Sequence, residues 1–132
     1  MPSSTRLPSP AGARLQESGV DWDAIRVPRS VGLSALAILG PRCAAAIEDP
    51  LASSGVLYFF TPLGTSDTWD VENTRALAVG TTIPVPPARR TEGPGAHWRV
   101  CPGEDGWLTD PGALAAAVAD AFGPRVGEER PA

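Results

Sequence analysis

The stretch CAAAIEDPLASSGVLYFFTP, residues 43–62, decides the fold. Two short apolar runs, CAAAIED and GVLYFFTP, flank PLASSG, a turn-rich connection of hairpin type. Both runs suit central strands, so the stretch predicts an antiparallel pair around which the remaining elements must pack.

Upstream, RSVGLSALAILG (29–40) sets Ser30 before an apolar run and closes on Gly40 and Pro41, the start and stop signals of a helix. Val31, Leu33, Leu36, Ile38 and Leu39 leave it almost no polar face, which predicts a largely buried helix. Before it, DWDAIRVP (21–28) alternates loosely and meets Pro28, as expected of a short edge strand or an extended lead-in.

Downstream, WDVENTRALAVG (69–80) reads equally as a short helix ending at Gly80 or as an irregular crossing. TTIPVPPA (81–88) mixes β-branched residues with prolines, which suits an edge strand, and AHWRVC (96–101) alternates like a strand returning beside it. The intervening RRTEGPG then becomes a hairpin connection. In TDPGALAAAVADAFGP (109–124), Asp110 is the expected N-cap and Pro111 opens the first turn. Leu114, Ala117, Val118, Ala121 and Phe122 share one face there, and Gly123 and Pro124 stop the helix.

The expected architecture is a single α+β domain over residues 20–123: a small, largely antiparallel sheet with a buried N-terminal helix and a capped C-terminal amphipathic helix. Residues 1–19 and 124–132, rich in Pro, Ser, Gly, Ala and charge, read as flexible tails.

Composition bounds the function. The chain has 132 residues, 42% of them apolar and 20% charged, enough to bury a core without a metal or a disulfide. All eleven basic residues are arginine, the bias of a GC-rich bacterial coding sequence. A net charge of −4 opposes a surface that grips a polyanion everywhere and leaves room only for a local basic patch. No signal peptide and no membrane-spanning run is present, which points to the cytoplasm. Cys43 and Cys101 form no CxxC pair and no cluster with histidine, and the ligand count falls short of a closed zinc shell, so two buried reduced thiols are expected and no metal site. No Walker loop, dinucleotide fingerprint or other cofactor motif appears.

The chemistry that remains is in VPPARRTEGPGAHWRV, residues 85–100. Arg89, Arg90, His97 and Arg99 lie within eleven residues, and guanidinium forks beside a glycine-rich turn hold phosphate or carboxylate well. His97 and Arg99 share one strand face while Trp98 takes the other, so the competing reading is a solvated polar face over a buried tryptophan. Glu92 in the same loop can neutralise one arginine. Glu48 and Asp49 end a predicted strand, but neighbours on a strand point to opposite faces and cannot chelate one ion, which favours a turn-forming Asp-Pro. One histidine with no nucleophile elbow supports no catalytic triad. Trp69, Trp98, Trp107, Tyr58, Phe59 and Phe60 offer stacking surfaces, but in a domain of this size they read mainly as core.

The order GVLYFFTPLGT followed by VGTTIPVPPARRTEGPGAHWRV resembles the later half of the N-terminal primase/polymerase domain of bifunctional DNA primase-polymerases, over roughly Ala44 to Val100. In that family a Gly-x-His-like strand precedes a proline-rich segment with a histidine. The chain departs from the pattern at two places. IEDP lacks the Asp-x-Asp spacing of the family's metal ligands, and Val56 or Leu57 stands where the nucleotide-contacting histidine would be. The resemblance therefore implies a shortened, non-catalytic relative that binds nucleotide or nucleic acid through Arg89, Arg90, His97 and Arg99. The alternative is a protein-interaction or regulatory module in which the same loop and exposed aromatics meet a protein partner, a reading favoured by the acidic balance.

Overall fold

In the computed structural model, residues 14–122 are described, apart from 53, 78, 88, 94, 104 and 105. The expected tail beyond residue 123 and the stop at Gly123 and Pro124 lie outside them, as do residues 1–13.

Strand β4 (Val56–Thr61) is buried along its whole length, because β-branched and aromatic residues alternate onto two covered faces. It pairs antiparallel with β3 (Ala46–Asp49), with Ile47 opposite Tyr58 and Glu48 opposite Leu57, as the opening stretch predicts. On its other side lies β2 (Asp23–Pro28), also antiparallel, followed by the short strand β5 (Arg75–Leu77). Strand β7 (His97–Val100) completes a five-stranded sheet of order β5-β2-β4-β3-β7. The expected edge strand 21–28 is therefore interior. Pro28 is tolerated because it sits at the strand's last position, where the chain leaves the ladder for a helix. Of the two readings of 69–80, the helix does not form; the segment is irregular except for the three-residue β5, which pairs with β2 and covers its edge.

One face of the sheet carries two helices. Helix α1 (Arg29–Leu39) starts two residues earlier than Ser30 as a cap implies: Pro28 occupies the cap position and no side chain caps the end. It buries Gly32, Ala35 and Leu39 and leaves Ile38 exposed at 40%. Gly40, at φ +54°, ends it in the left-handed region that glycine enters readily. Helix α2 (Pro111–Phe122) matches the expected bounds, and Asp110 Oδ2 accepts the Ala113 N–H at 2.8 Å as its cap. Leu114, Ala117 and Val118 pack with Ala35 and Leu39 of α1 over Ile25, Val27, Ala46, Leu57 and Phe59.

The opposite face is aromatic. Trp22, Phe60, Trp98 and Trp107 cluster there with Ile83 and Val85. Phe60 meets Trp107 edge-on with ring centroids 4.6 Å apart and Trp22 edge-on at 4.9 Å, the geometry that ring quadrupoles favour. Ile83 and Val85 reach this cluster from β6 (Thr82–Val85), which pairs with β1 (Arg14–Glu17) as a separate two-stranded sheet. Two expectations change as a result. Residues 14–17, assigned to a tail, are a strand. Residues 81–101 do not form a hairpin, because β6 and β7 belong to different sheets and the 86–96 segment crosses between them.

Candidate functional site

Ala46 belongs to the helix-covered face of β3, and Glu48, two residues on, returns to that face. A carboxylate in this position is 4% exposed and must be satisfied by neighbours. Arg29 comes from the first turn of α1, where its N–H donates to the Gly55 carbonyl at 3.0 Å, and its Nε donates to Glu48 Oε2. His97 stands opposite Glu48 in the β3-β7 ladder and brings Nε2 to 3.3 Å from Oε1. Arg99 Nη1 lies 3.6 Å from the same oxygen.

A bulge makes the third contact possible. Ala46 pairs with Val100 and Ile47 with Trp98, so Arg99 is an extra residue on β7 with no partner across the ladder. Trp98 drops into the aromatic core, while His97 and Arg99 meet Glu48 on the other side, as alternation predicts. The second ring nitrogen of His97, Nδ1, lies 3.0 Å from the Gly95 carbonyl oxygen. Both ring nitrogens thus face acceptor oxygens.

Burial on its own pushes the Glu48 carboxyl up. The hydrogen bond and charge of Arg29, with the charges of Arg99 and His97, outweigh that effect and hold the carboxyl below its ordinary value. Asp49 does not join it. It faces the other side of the sheet, and its Oδ1 accepts the Leu51 N–H at 3.1 Å, the turn role expected of Asp-Pro.

Of the four residues expected to act together, His97 and Arg99 meet at Glu48. Arg89 and Arg90 are exposed on the crossing segment and are not ion-pair partners of Glu48. That segment nevertheless runs beside β7: the Trp98 N–H donates to the Arg90 carbonyl at 2.7 Å, and Trp98 Nε1 donates to the Pro87 carbonyl at 3.0 Å. Arg89 sits in the left-handed region at φ +66°. Glu92 is exposed, and among the described residues it forms no ion pair; Glu48 is the acid that neutralises the cluster. Arg29 is the member that sequence reasoning missed. The available signal was Glu48 itself, an acid in a strand otherwise apolar, which calls for a cation without saying which one.

The aromatic residues fill the core: Trp98 is 2% exposed and Trp107 6%. Cys43 is buried, and burial raises its thiol against the hydrogen bonds of Thr109 and Ala45. Cys101 is exposed, contrary to expectation, because β7 ends at Val100 and the chain turns to solvent. Among the described residues no helix is long and apolar enough to cross a membrane. Compared with known proteins, the chain matches no family, no curated protein and no solved structure.

Proposed function

We propose that this domain is a non-catalytic, primase/polymerase-like module that binds nucleotide or nucleic acid at the β7 edge of its sheet through Arg89, Arg90, His97 and Arg99, with Arg29 beside them. The observation that carries the reading is the charge arrangement at Glu48. One carboxylate serves two guanidiniums and an imidazole, and the side chains of Arg29 and Arg99 are 49% and 43% exposed. Positive charge therefore remains at the surface, next to the segment that bears Arg89 and Arg90. Such an excess attracts phosphate even in a chain of net charge −4. Glu48 is committed to Arg29, so a divalent ion would have to displace a guanidinium to use it, which favours binding over metal-assisted nucleotidyl transfer.

The test is a titration of labelled single-stranded oligonucleotide and of a nucleoside triphosphate over a range of salt concentrations. Binding should weaken as salt rises, and Arg89→Ala, Arg90→Ala and Arg99→Ala should each shallow the oligonucleotide slope by about 0.7 to 1 unit. The net acidity favours a second reading, a protein-interaction module. Absence of salt-sensitive binding, together with retention of a protein partner that the same arginine substitutions release, would replace the first reading with the second.

A further inference from the structure

The guanidiniums at the β7 edge are spread in a row. Arg29 meets Glu48 through Oε2 and Arg99 Nη1 lies 3.6 Å from Oε1, so two of them flank one buried carboxylate on β3. Strand β7 is the edge of its sheet, and outside it runs the segment that carries Arg89, tied on where the Trp98 N–H donates to the Arg90 carbonyl at 2.7 Å. Backbones bonded in this way lie about 4.8 Å apart, so β3, β7 and that segment spread their cationic positions over about 10 Å, more than one phosphate covers. Arg29 is set before a ligand arrives. Its backbone N–H donates to the Gly55 carbonyl, its Nε is bonded to Glu48, and its stem crosses Gly55 so closely that a Cβ there would lie 3.0 Å from Arg29 Cδ.

The same edge offers no aromatic ring to a base. Four Trp, three Phe and one Tyr are all the aromatic residues of the chain, and none of them is exposed. Six are buried in the core, among them Trp98, on the face of β7 away from Arg99. Trp69 and Phe122 are partly buried against the helix-side core, and Trp69 stands before β5, at the other edge of the sheet. The imidazole of His97 is itself buried, between Glu48 Oε1 and the Gly95 carbonyl. Proteins that hold single strands by their bases stack them on accessible aromatic rings, each stacked base contributing about fivefold to hundredfold in affinity.

We infer that the β7 edge takes the phosphate chain of a nucleic acid and does not contact its bases. The inference rests on the function proposed above and names the part of the ligand that is recognised. Guanidinium forks match phosphate oxygens, and a row longer than one phosphate favours a chain over a mononucleotide. Affinity then depends on salt and on the number of phosphates, and not on which base, or whether any base, is attached.

Fluorescence anisotropy of the full chain with labelled oligothymidylate, oligocytidylate and an abasic deoxyribose-phosphate oligomer of equal length tests it, with thymidine 5′-triphosphate as competitor. The three oligomers should bind alike, within about twofold, and the triphosphate should compete more weakly than unlabelled oligomer. Arg29→Gln and Arg99→Gln should each weaken all three by the same factor, about threefold to tenfold. Oligothymidylate bound about fivefold or more tighter than the abasic oligomer would place bases on the guanidinium faces, and would overturn the inference while leaving the proposed function in place. A triphosphate that competes better than the oligomers would overturn it in the same way. Absence of binding by every oligomer would remove the proposed function, and the inference with it.

Discussion

Glu48 shows how a single buried carboxylate can organise a surface. It sits on β3 because the strand's alternation puts it there, and it draws Arg29, His97 and Arg99 from two other elements to one point. Its folded value is lowered, so the stability it contributes is present in full above its ordinary value of 4.5 and is lost as the pH falls through the lowered value. Glu48→Gln should flatten this acid-side loss, as read from melting temperature against pH; an unchanged profile would remove Glu48 from that role. Glu48→Ala leaves two guanidiniums and an imidazole without their shared acceptor, and since both guanidiniums are about half exposed the cost should be roughly 1–2 kcal/mol by denaturant unfolding, below the 3–5 kcal/mol of a fully buried pair. At this scale the sequence shows Arg99 and His97 on one face of a strand. It does not show Arg29, whose approach depends on where α1 begins.

Among the elements, α1 is held close to the sheet by a missing side chain. A Cβ at Gly32 would lie 2.9 Å from Leu57 Cβ, a contact that real structures do not tolerate. Gly32→Ala gains about 1 kcal/mol of helix propensity but forces helix and strand apart, at a cost of roughly 1–3 kcal/mol. A net fall in melting temperature is expected, and a rise would mean that α1 can shift freely. Helix α2 presents the reverse case, where local signals suffice: Asp110, Pro111 and the 3.6-residue apolar spacing predict its bounds. Ending the chain at Thr109 should lower the melting temperature markedly, because Leu114, Ala117 and Val118 leave the core with it. An unchanged melt would show that α2 does not hold this core together.

At the scale of the whole molecule, the second sheet closes the aromatic core. Ile83 and Val85 are fully buried on β6, yet the ladder partner of β6 is β1, more than sixty residues earlier in the chain. Removing residues 1–17 takes that partner away. It should loosen β6 over Trp22, Trp98 and Trp107 and shift tryptophan emission to longer wavelength; an emission spectrum identical to the parent's would show that β6 stays docked alone. What the sequence by itself determines here is local: the β3-β4 pair, α2 with its cap, the Gly40 stop of α1, and the alternation that puts His97 and Arg99 opposite Trp98. These follow from periodicity, capping and turn chemistry, which act within about ten residues. Only the tertiary structure decides that β2 is interior, that β1 is a strand, that the 86–96 segment joins two sheets, and that Arg29 and Glu48 complete the cation cluster. Strand partners are chosen by which apolar faces can be buried together, a competition among all segments of the chain that no single segment records.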